Sequence, residues 1–198
     1  MDRDPKEHAV HPKLKIVSGG QTGVDRAALD AALACGLAVG GWCPAGRRAE
    51  DGAIPSRYPL VETPSEKYPQ RTSWNVRDAD ATLILTLREL DSGSKLTADV
   101  ARRLGKPYVV ASLNARPGTI SLAELLPFTL DEVVLNIAGP RESRCPGIYA
   151  RAFGFLVTFF RGCQAVTQGT RRVPDRAFSA RCAEKSVFVQ TPPAYLGP

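Results

Sequence analysis

The stretch Leu14-Lys15-Ile16-Val17-Ser18-Gly19-Gly20-Gln21-Thr22-Gly23-Val24-Asp25-Arg26 constrains this chain most. Leu14, Ile16 and Val17 form the short apolar run of a strand buried in a parallel sheet. Gly19, Gly20 and Gly23 then supply a turn whose backbone a ligand can approach closely. From Ala27 the period becomes helical, with Ala28, Leu29, Ala32 and Leu33 on one face and Gly36 as a stop. Such a corner aims free N–H groups and the positive end of a helix dipole at one spot, which suits an anion, most often phosphate. Gln21 and Thr22 add side-chain hydrogen-bonding groups there. The spacing matches neither the dinucleotide fingerprint nor a P-loop, since no Gly-Lys-Ser/Thr follows, so a plain tight turn is the competing reading.

The rest of the chain alternates strand and helix signals. Leu37 to Trp42 reads as a second strand, followed by the polar loop Cys43 to Gly52, in which Arg47 and Arg48 are candidates for forked pairing with phosphate. Leu60 to Glu62 reads as a short strand and Arg71 to Asp78 as a short helix carrying Trp74 and Asn75. Trp74 is a candidate to stack on a flat ligand ring, or to pack as lid or core. Ala81 to Thr86 is the clearest central strand. A small-residue turn, Asp91-Ser92-Gly93-Ser94, and a helix through Leu104 follow it, so Gly93, Ser94 and Thr97 are candidates for a second anion contact or for capping. Pro107 to Ala111 is a further strand, Leu122 to Leu126 a short helix, and Glu132 to Ala138 a last strand before a helix from Pro146 and Gly147 to about Phe160. This alternation predicts an α/β fold: one open, mostly parallel sheet with helices on both faces.

A length of 198 residues implies one domain with a real core. We divide it into a flexible arm (1–12), an α/β domain (13–161) and a poorly ordered extension (162–198), in which Val187 to Val189 is the only strand-like run. The net charge of +6 favours an anionic partner. The sparse aromatics, 7% of residues, argue against a single-strand nucleic-acid reader. No signal core and no long apolar span occur, so a cytoplasmic protein without membrane contact is expected. Five cysteines without a C-x-x-C pair support neither a disulfide framework nor a zinc site, and no metal ligand set is expected. The only histidines, His8 and His11, lie in the arm, and nothing resembles a nucleophile–base–orienter set.

Five motifs, taken together, resemble a known family: Ser18 to Asp25, Gly41-Trp42-Cys43-Pro44-Ala45-Gly46-Arg47-Arg48-Ala49-Glu50-Asp51-Gly52, Arg71 to Val76, Ser92 to Thr97, and Asn136-Ile137-Ala138-Gly139-Pro140-Arg141-Glu142-Ser143. The chain resembles the molybdenum cofactor carrier proteins, a family similar to the LOG-type Rossmann-like superfamily. The match covers about Lys13 to Phe160. It implies a Rossmann-like fold, a homo-oligomer, and storage or delivery, without turnover, of the molybdenum cofactor, a phosphorylated pterin whose metal arrives inside the cargo. It also implies hand-over to molybdoenzymes or cofactor-biosynthesis proteins. The family's second Gly-Gly pair is Ser92-Gly93 here, so a side chain narrows that contact. Two alternatives remain open. A LOG-type nucleoside-monophosphate phosphoribohydrolase would place Asp99 where that family has a catalytic glutamate. A nucleotide-sensing or DNA-handling module would show salt-dependent single-strand binding.

Overall fold

The computed structural model describes residues 13–117, 132–167 and 187–190. The arm at 1–12, the helix expected at Leu122 to Leu126 and most of the C-terminal extension lie outside the described residues. The elements run β1 (Lys13–Val17), α1 (Val24–Ala34), β2 (Ala38–Gly40), β3 (Trp42–Cys43), β4 (Arg48–Ala49), β5 (Gly52–Ala53), β6 (Val61–Glu62), α2 (Tyr68–Asp78), β7 (Ala81–Thr86), α3 (Ser92–Arg103), β8 (Tyr108–Ser112), β9 (Glu132–Ala138), α4 (Ile148–Thr167) and β10 (Val187–Gln190).

The main sheet has the order β10-β8-β7-β9-β1-β2. Its five inner and upstream strands are parallel, and β10 closes one edge antiparallel to β8. All six residues of β7 are buried, because helices cover both of its faces. Its alternate residues divide between two cores. Ala81, Leu83 and Leu85 join the layer of α1 and α4, where Ile148, Leu156 and Phe160 are fully buried. Ile84 faces the layer of α2 and α3, against Val76, Ala98 and Ala101. The expected open sheet with helices on both faces is therefore the fold.

The elements differ from expectation in two places, one strand and one helix. The run from Leu37 to Trp42 is not one strand: the chain breaks at Gly41, where φ is 124°, and β3 leaves the sheet to pair with β6. A Cβ at Gly41 would lie 2.8 Å from both the Ser18 nitrogen and Asn75 Oδ1, so only glycine fits the crossing. The helix expected to end near Phe160 continues to Thr167. In addition, Val187–Gln190 pairs along β8 as a sheet strand.

Counted from β9, the chain visits the strands β9, β1, β2, β7 and β8, which stand in the sheet in the order 3-2-1-4-5. This is the Rossmann order with its first strand–helix unit, β9–α4, moved to the end of the chain. The order reverses between β9 and β7, and the carboxyl ends of those strands border the crevice in which such sheets bind ligands.

The small-residue turn after β7 is closed by Asp91, not by Ser94 or Thr97. The Ser94 nitrogen donates to Asp91 Oδ1 at 2.8 Å, and the Thr97 hydroxyl donates back to the Gly93 carbonyl at 3.0 Å. Asp91→Ala is expected to cost about 1 kcal/mol, the usual value of an N-cap carboxylate, read as a shift in the urea midpoint with unchanged slope.

Candidate functional site

The β1–α1 corner is buried from Ser18 to Gln21, and its side chains are held in detail. The Ser18 hydroxyl donates to the Ile137 carbonyl at 2.7 Å, tying β1 to β9. Gln21 Oε1 accepts from the backbone of Thr22 at 3.0 Å and of Glu50 at 2.9 Å. A Cβ on Gly23 would lie 2.5 Å from the Pro140 carbonyl oxygen, so glycine there lets the β9–α4 turn press against the corner. The Val24 nitrogen donates to that same carbonyl.

Part of the anion-binding capacity of this corner is met from within. Asp25, 3% exposed, accepts from the Gln21 nitrogen at 3.4 Å and pairs with Arg71 of α2 at 3.2 Å. Burial pushes the Asp25 carboxyl above the usual aspartate range; the Arg71 charge and the Gln21 N–H oppose that shift. Arg71 lies directly against Gly19, where a Cβ would collide with its guanidinium. Arg71 and Arg141 both reach the Tyr68 ring, with their guanidinium carbons 6.0 and 5.1 Å from its centroid. Among the described residues Arg71 Nε, Gln21 Nε2, Arg26 Nε and the Ser94 hydroxyl are buried without a hydrogen-bond partner. Buried donors in this state call for an acceptor.

Glu50 links three segments. Its carboxylate accepts from the Thr22 hydroxyl, from the Ser143 hydroxyl, and from the Ser143 nitrogen at 3.1 Å, with Arg141 Nη1 at 3.8 Å. Burial raises the Glu50 pKa, but the hydrogen bonds from Ser143 and Thr22 and the Arg141 charge outweigh it and hold the carboxyl below its usual value.

The other expected site residues are distributed as follows. Arg47 is engaged with backbone carbonyls: Nε donates to Ile54 O, Nη1 to Leu60 O, and Nη2 to Pro55 O and Tyr58 O, all at 3.0–3.1 Å. Arg48 is exposed and paired with Glu66 at 2.8 Å. Trp74 meets Trp42 edge to face, with centroids 4.7 Å apart. Asn75 clamps the Trp42 backbone, accepting from its nitrogen at 2.8 Å and donating to its carbonyl at 2.9 Å. Gly93 is exposed, whereas Ser94 and Thr97 are buried on the inner side of α3. Asp99 lies on the exposed side of α3, paired with Arg102 at 2.7 Å. Arg71, Arg141, Glu50, Asp25 and Tyr68 were not singled out from sequence. Four of them stand inside the quoted motifs, but spacing alone does not reveal partners on other elements. Cys43 is fully buried and Cys145 partly so. Among the described residues no group of His, Cys, Asp or Glu is arranged to hold a metal ion, and no helix is long and apolar enough to cross a membrane.

A permuted parallel sheet with helices on both faces and a glycine corner at its carboxyl edge places the chain among the α/β Rossmann-like proteins. The chain belongs to the circularly permutated YpsA SLOG family, whose model matches residues 16–160. Its fold is similar to the crystal structure of a "putative molybdenum carrier protein" from Syntrophus aciditrophicus SB: 42% identity, a TM-score of 0.64, 75% of this chain and 96% of that one covered. No curated relative matches the sequence. The family resemblance drawn from the five motifs and the Rossmann-like fold it implied are thus both supported.

Proposed function

We propose that this protein binds, stores and delivers the molybdenum cofactor, holding the phosphorylated pterin without chemical turnover. The observation that carries the reading is the set of buried donors without acceptors at the carboxyl edge of the sheet: Gln21 Nε2, Arg71 Nε and the Ser94 hydroxyl. Phosphate oxygens and the polar edge of a pterin are acceptors of the matching kind. The glycine turn at Gly19–Gly23 gives close backbone access, and Arg71 and Arg141 supply charge. The structural relative bears the name of a molybdenum carrier, which agrees with this cargo. The metal enters within the cofactor, so the chain itself needs to hold only the organic phosphate and the ring. Recipient molybdoenzymes or biosynthetic proteins and a homo-oligomeric state belong to the same proposal. The hydrolase alternative is less well supported, because Asp99 is spent on a solvent-exposed ion pair.

The test is retention. Purified protein mixed anaerobically with molybdenum cofactor is expected to co-elute with it and to slow its oxidation. Arg141→Ala removes a half-buried cation from the rim and is expected to weaken retention by about 1.5–3 kcal/mol. Free elution of the cofactor from the wild-type protein, with unchanged oxidation, would end this reading.

A further inference from the structure

The strand order reverses between β9 and β7, and the crevice at that point is lined by residues outside the site described above. A cavity of about 410 Å³ is bounded by Leu87 and Arg88 after β7, Asn114 after β8, Arg144, Cys145 and Pro146 after β9, and Arg151 in α4. Its lining contains three arginines and no carboxylate. Among the described residues none of the three arginines is in an ion pair. Among the described residues their guanidiniums make one hydrogen bond, from Arg151 Nη1 to Asn114 Oδ1 at 3.4 Å.

The neighbouring cleft is a useful contrast. It adjoins the first across Pro146 and contains Arg26 and Arg57, but also Asp30, Glu50, Asp51 and Glu142. Arg26 there is paired with Asp51, and Arg57 with Asp30. Its cations are neutralised within the protein. Among the described residues those of the first cavity are not, and a concave surface of unopposed positive charge concentrates anions.

The usual diphosphate position of this fold is the N-terminus of the helix after the first strand, here α4. In this chain that position is filled: the Glu142 carboxylate accepts from the Gly147 nitrogen and from the Tyr149 nitrogen at 3.0 Å. Glu142 thus takes the place of a bound anion at the helix end. The charge left for a ligand lies one step toward β7 and β8, on side chains from three separate segments.

We infer that the cavity of Arg88, Arg144, Arg151 and Asn114 is a second anion site, and that its ligand class is a linked diphosphate, either free or as part of a nucleotide. A single phosphomonoester carries about −1.5 to −2 at neutral pH, which leaves three guanidiniums under-neutralised; two linked phosphates balance them. Guanidinium forks from several directions fit the several oxygens of such a chain. This site is independent of the carrier reading, which concerns the β1–α1 corner.

The test is calorimetric titration of the full chain with inorganic pyrophosphate and, separately, orthophosphate at fixed salt. Pyrophosphate is expected to bind, and to bind more tightly than orthophosphate. The double variant Arg88→Ala/Arg151→Ala is expected to weaken pyrophosphate at least about tenfold, the loss of two charge-assisted contacts. A control double, Arg103→Ala/Arg161→Ala, removes the same charge from exposed helix positions and should retain the wild-type affinity. Thermal melts of both doubles establish that they fold. Equal weakening in the two doubles, or no pyrophosphate binding by the wild-type protein, would overturn the inference. Either failure leaves cofactor retention and its Arg141 dependence untouched, so the two readings fall separately.

Discussion

Replacing Arg71 with alanine is expected to cost about 3–5 kcal/mol of folding stability, measured as a drop in the urea midpoint. The cost comes less from the lost ion pair than from what remains. Asp25 is 3% exposed, and Arg71 is its only ion-pair partner among the described residues. Without the guanidinium, the carboxylate is a buried charge held by the Gln21 N–H and the Ser18 hydroxyl, with Arg141 acting on it more weakly. Asp25→Asn is therefore expected to recover much of the loss in an Arg71→Ala background, and the double variant should lose far less than the sum of the two singles. The pH dependence has a definite sign. Burial holds the Asp25 pKa above its unfolded value, so the folded state binds that proton more tightly. The penalty of Arg71→Ala relative to wild type should be small at acidic pH, where Asp25 is protonated in both folded states, grow as pH rises through the wild-type folded pKa, and be complete above the still higher folded pKa of the variant, which lacks the opposing Arg71 charge. A pH-independent loss would show that Arg71 acts through packing on Gly19 and Tyr68 instead.

The second large effect is expected at Arg47. Sequence suggests a cation poised for phosphate, but its guanidinium donates to four carbonyls of the segment between Ile54 and Leu60. Arg47→Ala is expected to destabilise the protein by about 3 kcal/mol: each charge-assisted bond is worth roughly 1.5–3, and the freed carbonyls regain some water. Arg47→Lys should rescue only part of this, because one ammonium cannot reproduce a planar fork. Ligand affinity measured well below the melting transition should change little. A large affinity loss with unchanged stability would return Arg47 to a ligand-contacting role.

These two arginines show how far the sequence could be read. Ala81 to Thr86 and Glu132 to Ala138 are apolar runs bounded by turn residues, and both are strands in a sheet covered on two sides. Periodicity is a local property, so it survives without knowledge of the fold. The break at Gly41 was missed because its cause, the Asn75 clamp on the Trp42 backbone, lies 33 residues away. Val187 to Val189 reads as strand-like, but its pairing with β8 is likewise invisible in local order, because the partner strand is distant in sequence. The motif strings marked the right neighbourhood for Arg71, Arg141 and Glu50, but nothing in their spacing says which of them meets Asp25, Tyr68 or Ser143.

By itself, then, the sequence determined a parallel sheet with helices on both faces and a glycine corner at the end of β1, because hydrophobic period and glycine placement act within a few residues. Only the tertiary structure decided where each charge goes. The packing of distant segments brings Arg88, Arg144 and Arg151 to one cavity, seats Arg47 on backbone carbonyls, and sets Arg71 against Gly19 and Asp25. A long flexible cation takes its partner from whatever the crossing of distant strands places beside it, and that crossing is not written in local order.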